Sequence, residues 1–250
     1  NILIQRAGYA RKGHGEDSAG KTGAAPTVER IFMSQRTGIL GGTFNPVHIG
    51  HLIMAQDAME AFELSKVLFL PCAWPPHKDA SALAPVSDRV AMIELAIKEN
   101  RDFELCDLEI KRGGSSYTVD TVRELLRQSP GAEFFFIIGS DTLPELHSWK
   151  EIGELLGLCR IVTVARPGAD LRNLSGADLR LPEAAARRLL DDVVSGHGVD
   201  ISSSDIRYRA AEGMRITYLT PPGVEMHIAE HGLYGRLLQE LMLKTSDARS

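Results

Sequence analysis

The spacing of short apolar runs most constrains this chain. RTGILG (Arg36 to Gly41), KVLFL (Lys66 to Leu70), EFFFII (Glu133 to Ile138) and RIVTVA (Arg160 to Ala165) each have strand length, and helix-length stretches lie between them. Runs that are apolar at consecutive positions bury both faces of a strand, as happens in parallel sheets covered by helices on each side. Strands alternating with helices therefore predict an α/β fold: an open, doubly wound parallel sheet with a helical C-terminal tail. Such sheets bind ligands beyond the carboxyl ends of their strands, at the switch point. The loops after Leu40, Leu70, Ile138 and Val164 are where chemistry is expected.

The remaining elements follow from periodicity. Apolar residues from His48 to Leu64 recur at a helical period. A Pro-rich loop after Leu70 leads to a helix over Asp88 to Glu99, with Ser87 as its expected cap and Val90, Ile93 and Ile97 on one face. Phe103 to Ile110 reads as extended, Thr118 to Gln128 as helix, Asp141 to Leu156 as one helix, and Asp205 to Glu212 as a short helix. Gly168 to Ser195, where ADLR occurs twice, reads as a variable insertion.

Composition narrows the function. With 28 Lys and Arg against 33 Asp and Glu, the formal charge is -5, which argues against binding a nucleic-acid backbone over a broad basic face. Three scattered cysteines, Cys72, Cys106 and Cys159, form neither a disulfide framework nor a zinc knuckle and suggest a reducing, cytoplasmic setting. No run reaches the roughly 20 apolar residues of a membrane helix. Residues 1–35 are rich in Gly, Ala, Arg, Lys and Ser without an apolar period, so they are expected to be a disordered extension. On that reading Met33 is the natural start, and residues 36–246 form a single domain.

The strongest signal is the loop Gly41-Gly42-Thr43-Phe44-Asn45-Pro46-Val47-His48-Ile49-Gly50-His51-Leu52. Paired glycines let a ligand approach the backbone, and the helix that follows offers N–H groups and a positive dipole end to an anion. His48 and His51, three apart, share one face of the first helical turn, with Gly50 leaving space beside them. The pattern is neither the dinucleotide GxGxxG nor the GxxxxGK[ST] phosphate loop. No third metal ligand has a fitting local spacing, so no protein metal ligand is assigned.

This loop resembles the signature of the HxGH nucleotidylyltransferase superfamily, and most closely that of the bacterial nicotinate-nucleotide adenylyltransferases. Ile201-Ser202-Ser203-Ser204-Asp205-Ile206-Arg207 matches the superfamily's second motif, ISSTxIR, with Ser204 in place of Thr. Pro75-Pro76-His77-Lys78, Ser115 to Thr121, Ile138-Gly139-Ser140-Asp141, Trp149 and Arg166-Pro167-Gly168 follow in the family's order, so the likeness spans roughly Thr37 to Leu238. One departure is His227, where the family's late pattern usually has Tyr; little consequence for catalysis is expected.

The resemblance implies a Rossmann-like nucleotidylyltransferase fold that adenylylates nicotinic acid mononucleotide with ATP, releasing pyrophosphate, in NAD biosynthesis. It implies His48, His51 and Arg207 as catalytic donors to phosphate. Gly41, Gly42, Thr43, Phe44, Gly139, Asp141, Arg166, Ser203 and Ser204 would surround ATP. Asn45, His77, Lys78, Thr118 and Trp149 would meet the mononucleotide, with Trp149 stacking on the pyridine and Thr118 facing its carboxylate. Mg²⁺ would arrive on the ATP phosphates rather than on protein carboxylates. The rival readings are a sibling transferase acting on another phosphorylated acceptor such as pantetheine phosphate, and a non-catalytic nucleotide-binding module. Oligomeric state is not legible.

Overall fold

In the computed structural model the described residues are 35–74, 83–169, 171 and 174–235. The chain divides into two units, Asn1–Met33 and Ser34–Ser250, and every element below belongs to the second. Its order is β1 (Arg36–Gly42), α1 (Ile49–Ala61), β2 (Lys66–Pro71), α2 (Val86–Ile97), β3 (Phe103–Leu105), α3 (Leu108–Arg112), α4 (Thr118–Gln128) and β4 (Glu133–Gly139). A 3₁₀ helix (Leu143–Ser148), α5 (Ile152–Leu158), β5 (Arg160–Val164), α6 (Gly176–Leu179), α7 (Glu183–Asp191), β6 (Val193–Val194), α8 (Ser203–Ala211) and α9 (Pro222–Glu230) follow.

The six strands form one sheet in the order β3-β2-β1-β4-β5-β6, with every neighbouring pair parallel. The chain winds outward from β1 in one direction, then returns to β4 and winds outward in the other. The carboxyl ends of β1 and β4 thus flank the switch point, where crossovers diverge and leave a crevice.

Side chains alternate between two cores, as the strand period requires. Leu40, Val67, Phe69, Phe135, Ile137 and Val162 pack beneath α1, α2, α8 and α9, meeting Ala55, Ile93, Ile206 and Ile228. Ile39, Leu68, Leu70, Phe134, Phe136 and Ile161 face the opposite side and meet Val122 and Leu125 of α4, Leu155 of α5 and Leu189 of α7. The uninterrupted apolar runs of β2 and β4 reflect this two-sided burial. The fold class matches the sequence expectation, including the helical C-terminal part.

Four local expectations are corrected. Helix α2 starts at Val86, behind Pro85 at the N-cap with ψ 146, so Ser87 lies inside the first turn and caps nothing. Phe103 to Ile110 is extended only through Leu105, and α3 begins at Leu108. The helix there carries Glu109 in its first turn and Lys111 and Arg112 in its last, the polarity that the helix dipole favours. Asp141 to Leu156 is not one helix: the backbone is extended at Trp149 and left-handed at Glu151, with φ 51, separating the 3₁₀ helix from α5. The stretch Gly168 to Ser195 is more than an irregular insertion: its described part carries α6, α7 and β6, and β6 pairs with β5. A smaller shift is that α8 opens at Ser203 rather than Asp205, behind Ser202, whose hydroxyl accepts from the Asp205 N–H.

Candidate active site

The turn after β1 is shaped by strain and held by a buried cation. Phe44 has φ 48, a left-handed conformation that is uncommon outside glycine, and its ring lies in the core against Phe69. Beneath the turn, the Arg89 guanidinium of α2 is 1% exposed and donates to the carbonyls of Thr43 (2.9 Å), Cys72 (2.8 Å), Ala73 (3.3 Å) and Ala84 (3.3 Å). Four carbonyls from the loops after β1 and β2 are thus gathered on one planar fork, a geometry that arginine supplies and lysine does not. Asn45 is also buried, and its Oδ1 accepts from the Ala84 N–H (3.0 Å) and the Tyr234 hydroxyl (3.1 Å). Asn45 therefore ties the turn to the C-terminal segment.

His48 and His51 come together as the spacing predicts, with ring centroids 3.7 Å apart. The His48 backbone N–H donates to His51 Nδ1 (3.2 Å), which leaves the proton of a neutral His51 on Nε2. The Phe44 ring meets His51 edge-on at 5.0 Å, fixing the imidazole plane. His48 is 2% exposed, and its Nδ1 has no hydrogen-bond partner among the described residues. Burial, reinforced by the charge of Arg166, lowers its pKa to about 4. At neutral pH His48 is an uncharged imidazole in a polar crevice. Gly50 explains the spacing inside HxGH: a Cβ there would stand 3.0 Å from His48 Nδ1.

The second motif is stitched to the first. The Ser203 hydroxyl donates to the Pro46 carbonyl (2.9 Å), and Arg207 donates to the Asn45 carbonyl (2.9 Å) and the Ser204 hydroxyl (3.2 Å). The amino end of α8 thereby opens beside the amino end of α1, adding a second positive dipole end. Across the crevice the Ser140 hydroxyl accepts from the Arg166 N–H (2.9 Å), and Arg166 Nε lies 3.2 Å from Asp141 Oδ1. A Cβ at Gly139 would overlap that carboxylate.

Two adjoining cavities make up the crevice. One, of about 510 Å³, is lined by Phe44, Asn45, His48, Ser203, Ser204 and Arg207 together with Gly42, Thr43, His51, Asp141 and Arg166. The other, of about 270 Å³, shares Gly42, Thr43, His51, Asp141 and Arg166 and adds Glu109, Ser116, Thr118 and Trp149. His51 stands at the seam. Trp149 presents its ring edge-on to Phe136 at 5.7 Å, and Thr118 is the first residue of α4, behind Tyr117 at the N-cap. Glu109 is buried and accepts from the Thr121 hydroxyl (2.7 Å).

The structure thus gathers Gly42, Thr43, Phe44, Asn45, His48, His51, Asp141, Arg166, Ser203, Ser204 and Arg207 around one cavity. It brings Gly41, Gly139, Thr118 and Trp149 to the other. His77 and Lys78 lie outside the described residues. Phe44 and Asn45 line the first cavity mainly as supports for it. Sequence reasoning missed Arg89 and Glu109, and it named Ser140 and Ser202 within their motifs without giving them a role. Arg89 left a signal, being four and eight residues before the buried Ile93 and Ile97.

The described residues bring no group of three His, Cys, Asp or Glu side chains together in this crevice. Its donors are imidazoles, guanidinium groups, hydroxyls and helix ends, all suited to phosphate oxygens. A doubly wound sheet with these two stitched loops at its switch point defines a nucleotidyltransferase. The family model described as cytidylyltransferase-like matches residues 39–209. Over 214 residues the chain is 44% identical to a probable nicotinate-nucleotide adenylyltransferase of Geobacter metallireducens, with 80% of this chain and 98% of the relative covered. A probable enzyme of the same name from Halalkalibacterium halodurans is 44% identical over 201 residues, with 80% of this chain and 91% of that one covered. Among solved structures, the Plasmodium falciparum nicotinic acid mononucleotide adenylyltransferase complexed with NaAD superposes with a TM-score of 0.65 at 18% identity, covering 80% of this chain and 98% of that one. The chain belongs to the nicotinate-nucleotide adenylyltransferase family.

Proposed function

We propose that the crevice transfers the adenylyl group of ATP to nicotinic acid mononucleotide, yielding nicotinic acid adenine dinucleotide and pyrophosphate in NAD biosynthesis. The observation that carries this reading is the pair of adjoining cavities with His51 at their seam. One cavity is lined by phosphate donors, and the other has the size and aromatic wall for a pyridine ring. On this reading residues 36–246 form the catalytic domain, residues 1–35 lie outside it, and the reaction takes place in the cytoplasm. No helix among the described residues is long and apolar enough to cross a membrane.

In the reaction a 5′-phosphate oxygen of the mononucleotide bonds to the α-phosphorus of ATP, and the bond to the bridging oxygen of pyrophosphate breaks. The attacking oxygen is already anionic near neutral pH, so no general base is required. Catalysis then rests on alignment and on donors placed where charge builds. His51, with its proton on Nε2, serves as a donor to the α-phosphate. Neutral His48 donates through one ring nitrogen without holding a fixed charge that would trap product. Arg207 and the amino end of α8, with Ser203 and Ser204, receive the leaving pyrophosphate. Mg²⁺ enters as part of the ATP substrate, and the adenine lies beside Gly139, Asp141 and Arg166.

In the second cavity, Trp149 stacks on the pyridine, and the amino end of α4 at Thr118 attracts its carboxylate. His77 and Lys78 are assigned to the mononucleotide phosphate by the resemblance alone. Pyrophosphate release, measured with ATP and a panel of phosphorylated acceptors, tests the assignment. Turnover is expected with nicotinic acid mononucleotide and not with pantetheine phosphate; the opposite pattern would refute it.

A further inference from the structure

On the face of the protein where α9 packs against α2, we propose that Asp88, His227 and His231 form a binding site for a divalent transition-metal ion of the zinc class. Each residue offers one ligand atom, and these atoms lie within 4.8 Å of one another, the one such group of three among the described residues. His227 Nε2 is 2.9 Å from Asp88 Oδ1. The His227 and His231 rings stack with centroids 4.0 Å apart and planes 22° from parallel. His227 lies in α9 and His231 is its C-cap, so the i, i+4 spacing brings both imidazoles to one face.

The tautomer of His231 is already set. Its Nδ1 lies 3.0 Å from the His227 carbonyl, to which it donates, and Nε2 is therefore the nitrogen that carries the lone pair. Metal-binding histidines are ordinarily oriented by such a bond from their second nitrogen. Side-chain exposure is 12% for His227 and 17% for Asp88, whereas His231 is exposed, giving two sheltered ligands and one at an entrance. Ligand atoms on a tetrahedral zinc ion stand roughly 3.3 Å apart, given bonds of about 2.0–2.1 Å, so a small inward swing of His231 completes the set. Two imidazoles and one carboxylate suit zinc, cobalt or nickel better than magnesium or calcium, which prefer oxygen.

The position suggests a consequence. Asp88 adjoins Arg89, the clamp of the β1 turn, and Tyr234, which bonds Asn45 of that turn, lies beyond α9. A metal here would staple the two elements that support the turn.

The test uses the full chain without an affinity tag, stripped of metal and titrated with Co²⁺ and Zn²⁺. Equimolar Co²⁺ binding with the visible absorption of a four-coordinate ion is expected, together with a rise in the thermal midpoint on adding Zn²⁺. His231→Ala, at an exposed position, is expected to weaken Co²⁺ binding by about tenfold or more and to abolish the thermal shift, while leaving turnover without added Zn²⁺ unchanged. His227→Tyr, which installs the residue usual in the family, should do the same. Absence of binding to the wild type, or equally strong binding to His231→Ala, would overturn the site and leave only a hydrogen-bonded pair beside a stacked ring. Binding that survives both variants but is lost in His51→Ala would move the metal to the crevice and overturn it equally.

Discussion

The two cavities are built by different means. Around the phosphate donors, the supporting contacts are buried or half-buried and run mostly to backbone atoms: Arg89 holds four carbonyls, Arg207 and Ser203 hold two more, and Asn45 is fixed from both sides. Around Trp149 the supports are side-chain pairs near the surface. Arg123 pairs with Asp120, Glu151 and Glu154, and Lys150 pairs with Asp120 at 2.9 Å and lies over the Tyr117 ring. Buried bonds to backbone fix positions independently of salt, whereas exposed ion pairs contribute little and are screened. The division suits an enzyme whose phosphoryl chemistry demands tight alignment and whose choice of acceptor rests on a more adjustable wall.

The contrast is broken most severely at Arg89. Arg89→Met leaves four carbonyls without their buried donor and is expected to cost about 3–5 kcal/mol of stability, read from urea unfolding. A loss near that of an ordinary surface substitution would show that the turn holds itself. Next is His48→Ala, expected to lower kcat by ~10² to 10³ with little change in the KM for nicotinic acid mononucleotide.

Stability itself should report the buried His48. Its pKa of about 4 lies below the ~6.5 of an unfolded histidine, so between these values the unfolded chain binds the extra proton. Stability therefore falls as pH drops from about 6.5 toward 4, by roughly 3 kcal/mol in total from this group, and levels off below. Denaturation of the wild type and His48→Asn at pH 7 and pH 5 checks this. The variant should show a visibly shallower loss, and parallel losses would contradict a neutral His48.

Trp149→Ala gives the smallest of these effects. It is expected to raise the KM for nicotinic acid mononucleotide about three- to tenfold, the worth of one aromatic stack, and to leave kcat nearly unchanged. A fall in kcat as large as that of His48→Ala would erase the distinction between the two cavities.

How legible each part was in the sequence follows the same division. The sheet was readable because β2 and β4 are buried on both faces and appear as uninterrupted apolar runs, while β1 and β5 are short and mostly apolar. The crevice was readable because most of its donors sit in two short sequence motifs, at the amino ends of α1 and α8, whose residue types suit phosphate. What failed to show were features decided by tertiary contact. Arg89 looks like a solvated helix residue until two loops converge on it. The break at Trp149 and Glu151 obeys no local rule, since Glu151 adopts a left-handed backbone while its carboxylate meets Arg123. Edge strand β6, with two residues, carries too short a pattern to be seen without its partner β5.

The division between alignment and selection is tested most directly by kcat/KM for nicotinic acid mononucleotide and nicotinamide mononucleotide, measured side by side in wild type, His48→Ala and Trp149→Ala. The expected result is a large preference for the acid in the wild type. That preference should be unchanged in His48→Ala, although both rates fall by ~10² or more, and should be reduced in Trp149→Ala. A His48→Ala variant that turns over like the wild type, or that loses its preference together with its rate, would contradict it.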